Sequence, residues 1–202
     1  SSAYVRLPFT PSRAYAMGMP AQHTDWTAEM ARALPDDGNR YEVLDGELFV
    51  SPAPSFDHQR VVGALYSVLR TYVLAHQLGE VFIAPADIEF STGRLLQPDV
   101  FVIPPTPGVR PRTFRDVGRL LLSAEVLSPA TARAVRTRKR AILKDERVPE
   151  YWIVDPDGRV IERWTPDDDG PGVLSATITW QPDQRVPALV IDLPRFFAEA
   201  LD

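Results

Sequence analysis

Leu120-Leu121-Leu122-Ser123-Ala124-Glu125-Val126-Leu127 is almost unbroken in apolar side chains, and its reading decides the fold. A strand with one wet face alternates apolar and polar residues, whereas a strand covered on both faces does not. The run is therefore expected as a central strand, over about 119–127, in a sheet flanked on both sides. Gln97-Pro98-Asp99-Val100-Phe101-Val102-Ile103 has the same character. Each segment holds one carboxylate, Glu125 or Asp99, where a purely structural strand would carry Val or Leu. Desolvating an unpaired carboxylate costs several kcal/mol or more, so such residues persist when they pair or hold a metal.

Outward from these strands, Ser55 is placed to cap a long helix reaching about Gln77, with Gly79 as its stop signal. At 100° per residue Val61, Val62, Leu65, Leu69 and Tyr72 share one stripe, the face that packs on a sheet. Tyr41–Leu44 and Glu47–Val50 flank Asp45-Gly46, a strong signal for a two-residue hairpin. Thr24 can cap a short helix through about Leu34, and residues 1–22, without clear period, read as an arm or disordered extension. Further strands are expected near 80–84, 86–90 and 98–103, with a Pro- and Arg-rich loop over 104–118 whose length marks it as functional.

A helix follows over about 131–146. Glu150–Val154 and Arg159–Trp164 then form a hairpin-like pair, and another strand pair lies near 173–180 and 187–191. Asp192-Leu193-Pro194 opens a terminal helix, proline being allowed in the first turn. Without steady βαβ alternation, these elements predict an α/β fold with a mixed central sheet flanked by helices. One domain is expected over 23–202.

Composition narrows the function. The 202 residues hold 45% hydrophobic and 24% charged side chains and no cysteine, which excludes disulfides, thiolate metal sites and cysteine nucleophiles. No apolar stretch approaches the ~20 residues needed to span a bilayer. The beginning of the sequence lacks a secretory pattern, so a cytoplasmic location is expected. A net charge of -5 argues against a general nucleic-acid coat but not against a nuclease with a local basic patch. The twenty prolines, clustered in 98–111 and 149–194, read as loop punctuation.

Lys139 completes the unusual set. On the 131–146 helix it falls between Val135, Ile142 and Leu143, while Arg133, Arg140 and Lys144 take the opposite, solvated side. The bland alternatives are a snorkelling stem for Lys139 and a turn acid for Asp99 after Pro98. Glu125 is harder to explain so, because a lone buried Glu must be protonated or paired. Its economical partners are a cation, Lys139, or both. Glu42, just before the Asp-Gly turn, offers a further carboxylate or else an exposed strand acid. His58, inside the apolar stripe of its helix, reads first as a satisfied core residue. His23, His58 and His76 have no metal-binding spacing, and neither a Gly-rich phosphate loop nor a GxSxG elbow is present. Two hard carboxylates and an amine suit phosphodiester hydrolysis assisted by Mg²⁺ or Mn²⁺.

At these residues the sequence resembles a known family. Arg40-Tyr41-Glu42-Val43-Leu44-Asp45-Gly46-Glu47-Leu48 looks like the first hairpin of the Uma-type restriction-endonuclease family, a branch of the PD-(D/E)XK nuclease superfamily. Gln97-Pro98-Asp99-Val100, Glu125-Val126-Leu127-Ser128-Pro129 with Thr131, Lys139, and Val148-Pro149-Glu150-Tyr151-Trp152-Ile153-Val154-Asp155-Pro156 extend the likeness over about 24–200. The resemblance implies a restriction-endonuclease-like core with an N-terminal hairpin extension. It implies Asp99 and Glu125 as metal ligands, and Lys139 from the next helix in place of the lysine usual two residues after the Glu, where Leu127 stands. Glu42 and His58 match positions that line the same cleft. Two departures are Val135, where an acid often precedes the lysine by four residues, and Arg147 for a glycine before Val-Pro-Glu-Tyr-Trp.

The expected activity is metal-dependent endonucleolytic cleavage of DNA, with Asp99 and Glu125 on the ion, Lys139 at the attacking water and Glu42 assisting. A homodimer would face two sites to opposite strands. The rival reading is an inactive nuclease-fold module that binds nucleic acid or oligomerises, favoured by Val135 and the acidic charge. A hydrolase of small phosphorylated molecules would instead need a closed pocket. The late aromatic residues Trp152, Trp164, Trp180, Phe196 and Phe197 are expected in the core, or in part on a dimer surface.

Overall fold

Successive residues of the two apolar strands enter opposite hydrophobic clusters, which is why neither strand shows polar alternation. The computed structural model describes residues 25–106, 108 and 112–202. The expected 1–22 arm, Thr24, His23 and part of the 104–118 loop lie outside the described residues. Strand β6 (Val100–Ile103) and strand β7 (Leu122–Val126) are buried throughout. Val100, Val102, Leu122, Ala124 and Val126 pack into one cluster, Phe101 and Ile103 into the other. Glu125 alternates with Ala124 and Val126 and so turns from the first cluster toward the second.

The first cluster is covered by helix α2 (Phe56–Ala75), whose buried stripe includes Val61, Val62, Leu65, Leu69, Tyr72 and Val73. Ser55 caps it by accepting from the His58 N–H. Burying each aliphatic side chain contributes about 2 kcal/mol, so a single Leu65→Ala cavity at 0% exposure would cost roughly 3 kcal/mol. Gly79 ends the connection to β3 (Glu80–Ile83) at φ 133°, and a Cβ there would strike the Ile103 carbonyl oxygen.

Among the described residues a six-stranded sheet runs β10-β9-β8-β7-β6-β3, where β8 is Tyr151–Asp155, β9 Val160–Trp164 and β10 Gly172–Leu174. β7 and β8 are parallel and the other neighbours antiparallel. A parallel pair needs a long crossover. The helical segment 132–145 supplies it, and its Val135, Ile142 and Leu143 cover the second cluster. The expected helix there is composite: α3 (Ala132–Ala134), a π-helical turn Val135–Lys139, and α4 (Arg140–Asp145).

A second sheet, β2-β1-β5-β4, contributes Leu44, Ile88 and Leu96 to the same cluster. Its strands are β1 (Arg40–Leu44), β2 (Glu47–Ser51), β4 (Ile88–Ser91) and β5 (Arg94–Leu96). Asp45 and Gly46 both take positive φ, 51° and 80°, as a type I′ hairpin turn requires. The first helix, α1 (Ala28–Arg32), is capped by Thr27, three residues later than expected, and is shorter than expected. Near the end of the chain β11 (Thr177–Trp180) pairs with β12 (Leu189–Asp192), and α5 (Leu193–Leu201) packs on α2. Trp152, Trp180, Phe196 and Phe197 belong to the core as expected; Trp164 packs at its edge. Among the described residues no helix is long and apolar enough to cross a membrane.

Candidate active site

Alternation along β1 places Arg40, Glu42 and Leu44 on one face, and Leu44 shows that this face meets the second cluster. Glu125 reaches the same region from β7 and Lys139 from the last residue of the π turn. The three form one buried bridge. Lys139 Nζ lies 2.8 Å from Glu42 Oε2 and 2.9 Å from Glu125 Oε1, and none of the three side chains is more than 4% exposed. Glu42 Oε1 accepts the Gln97 N–H at 2.7 Å. The π turn is closed by the Arg140 N–H reaching Val135 O, five residues back, a local widening often found at functional sites. Tyr151, fully buried beneath, donates to the same carbonyl at 3.4 Å.

Val135 sits in the core at 1% exposure. The acid missing from that helix position is supplied from another element, because Glu42 pairs with Lys139 across the cluster. Snorkelling is thereby excluded for this lysine, whose ammonium is as buried as its stem.

Asp99 stands immediately before β6 and is 2% exposed. Its Oδ1 accepts from Arg40 Nη1 at 2.6 Å; its Oδ2 accepts the Val126 N–H at 2.9 Å and lies 3.1 Å from His58 Nε2. An ionised carboxylate only accepts, so Nε2 carries the proton. His58 Nδ1 is buried without a hydrogen-bond partner among the described residues. Thus His58 is not merely a core residue: it joins α2 to the strand acid. Asp99, Arg40 and His58 line a cleft of about 260 Å³ together with Gln59, Val62 and Pro85. Glu42, Glu125 and Lys139 lie off that lining, buried beside it.

Three carboxylates here face two fixed cations, Arg40 and Lys139, and the protonation equilibria divide accordingly. Burial alone would push the Asp99 carboxyl up, yet the His58 hydrogen bond and the Arg40 guanidinium outweigh it and hold the group down at about 2. Glu125 goes the other way. Its desolvation, reinforced by the negative charges of Asp99 and Glu42, overrides the attraction of Lys139 and pushes it up to about 8. Desolvation disfavours the Lys139 ammonium, but the two glutamates more than offset it and raise its pKa. Burial and the acidic neighbours therefore favour the neutral form of Glu125.

A divalent cation fits this donor set. Asp99 and Glu125 are hard oxygen donors that feel one another's charge, and Asp99 accepts the N–H of Val126, the residue after Glu125. Each of the three carboxylates has a cationic partner in the protein, so an ion would compete with these contacts for its oxygens. Among the described residues no group of three or more His, Asp or Glu side chains is arranged to hold a metal ion. The set is thus not a closed cage; two carboxylates with waters completing the shell is a common arrangement for Mg²⁺.

Sequence reasoning brought together Asp99, Glu125, Lys139, Glu42 and His58, and all five converge. It assigned no role to Arg40 or to the Gln97 and Val126 N–H groups. Arg40 was findable in principle, because it lies two residues before Glu42 on a strand and must share its face.

A family profile described as "Putative restriction endonuclease" (Uma2) matches residues 28–194. Among solved structures, the fold matches a putative nuclease belonging to DUF820 from Anabaena variabilis with a TM-score of 0.72 and 17% identity, covering 87% of this chain and 99% of that one. At that identity the likeness concerns the fold. No curated protein matches. With the family match running from α1 to the start of α5, and so through every residue of the cluster, the chain belongs to the Uma2 family of restriction-endonuclease-like proteins.

Proposed function

We propose that the protein is a metal-dependent endonuclease that hydrolyses phosphodiester bonds in DNA. The observation that carries this reading is the gathering of three buried carboxylates, Asp99, Glu125 and Glu42, with Lys139 and Arg40 beside an accessible cleft. Asp99 and Glu125 would hold Mg²⁺ or Mn²⁺, which when bound polarises a phosphoryl oxygen and lowers the pKa of an attacking water. Lys139 fixes Glu125 and Glu42 relative to one another. Two of its three protons are committed there. Glu42 keeps the ammonium charged, and His58 orients Asp99 toward the cleft.

Nicking of a supercoiled plasmid in Mn²⁺ tests this. Wild type should convert it to the relaxed form and Asp99→Ala should not; equal nicking by purified Asp99→Ala would remove the assignment. One observation favours the alternative of a non-catalytic nucleic-acid-binding scaffold: both Asp99 oxygens are satisfied within the protein. In a scaffold Mn²⁺ would not bind through Asp99.

A further inference from the structure

The three donors on Asp99 are not equivalent. Val126 N–H is fixed in β7, and His58 is 5% exposed on the long helix α2. Arg40 is the first residue of β1, its side chain is 20% exposed, and it lines the cleft. It touches Asp99 through Nη1 alone, while its Nε is buried with no hydrogen-bond partner among the described residues. A guanidinium built to lock a carboxylate uses a two-bond fork. Among the described residues this one makes a single bond and leaves a buried donor idle.

Resting on the metal-dependent reading above, we infer that Arg40 is a displaceable cation. It occupies Asp99 Oδ1, would yield that oxygen to a divalent ion when one binds, and would then present its guanidinium to a phosphate of the strand in the cleft. Charge makes the exchange necessary: a guanidinium and a divalent ion on one oxygen repel each other in a site with little water to screen them. Geometry makes it feasible, since Arg40 alone of the three donors is both partly exposed and, among the described residues, held by one contact. The idle Nε then finds an acceptor, because phosphate takes an arginine fork through Nε and Nη together.

The test is isothermal calorimetry with Mn²⁺ on wild type and Arg40→Gln, paired with fluorescence anisotropy of a labelled DNA duplex in Ca²⁺. Arg40→Gln should bind Mn²⁺ roughly tenfold or more tightly, because its competitor is gone. It should bind the duplex about fivefold or more weakly, with a salt slope lower by about one. A residue that only braces the fold would weaken both, so the opposite signs are diagnostic. Arg40→Lys, which keeps the charge, should stay within about threefold of wild type for Mn²⁺. Arg40→Met serves the same purpose if Arg40→Gln does not fold. Mn²⁺ affinity unchanged or reduced in Arg40→Gln, with wild type binding normally, overturns the inference and leaves the metal reading intact. Mn²⁺ binding by Arg40→Gln but not by wild type supports it. Binding by neither overturns the metal reading and this inference together. Unchanged duplex affinity overturns the phosphate role.

Discussion

Replacing Lys139 with methionine removes a buried ammonium while keeping nearly the same length and volume. Glu42 and Glu125, 2.8 and 2.9 Å from that ammonium, are then left facing one another at no more than 4% exposure. With an effective dielectric of ~20, each contact between ionised partners is a gross attraction of about 6 kcal/mol, and because Glu125 is pushed up to about 8 the Glu42 contact carries most of it near neutral pH. Desolvation of the lysine disappears with it and offsets most of the sum, so Lys139→Met should cost about 3–5 kcal/mol of stability near neutral pH. Urea denaturation followed by far-UV circular dichroism at pH 7.5 measures this. The loss should shrink at pH 5, well below the value to which Glu125 is pushed, where that carboxyl is neutral and no longer draws on the ammonium. Adding Glu42→Gln and Glu125→Gln should recover most of it, because the penalty lies in unpaired charge and not in lost packing. A loss below about 1 kcal/mol, or no recovery in the triple variant, would refute the buried bridge.

Glu125, pushed up to about 8 from an ordinary 4.5, holds its proton more tightly folded than unfolded. Its stabilising effect is therefore fully present below about pH 4.5 and lost as pH rises through 8. Glu125→Gln should accordingly gain ~1 kcal/mol or more on wild type between pH 5 and 8.5 in urea titrations. Asp99, held at about 2, gives the opposite sign: its contribution, ~2 kcal/mol, is present above pH 4 and fades as pH falls toward 2. Acid unfolding of Asp99→Asn should lack that component. Gly79→Ala places a methyl against the Ile103 carbonyl at a φ that alanine resists, and should lower stability by about 3 kcal/mol in thermal melts.

Much of this architecture was legible because local chemistry and burial agree. Leu120–Leu127 and Val100–Ile103 lack alternation, and both faces of each strand are covered. Ser55 caps α2, and Asp45-Gly46 takes the two positive φ angles its residues foretell. The shortfalls have physical reasons too. β5, three residues long, exists through pairing with β1 and β4, which no local pattern announces. The segment 173–180 divides between β10 and β11, which pair in different sheets. The π turn is hidden because Lys139 faces inward under ordinary helical periodicity as well. Val135 marked a missing acid only along the helix; across the sheets Glu42 fills that role. Arg40 looked like any charged residue at a strand start, since its partner Asp99 is distant in sequence.

The central claim is that Asp99 and Glu125 hold a divalent ion for phosphodiester hydrolysis. Anomalous scattering from a crystal grown with Mn²⁺ tests it most directly. A peak bonded to a carboxylate oxygen of both Asp99 and Glu125, absent in Asp99→Asn crystals, is the predicted result. Saturating Mn²⁺ with no peak at these residues, from protein that nonetheless nicks DNA, would contradict it.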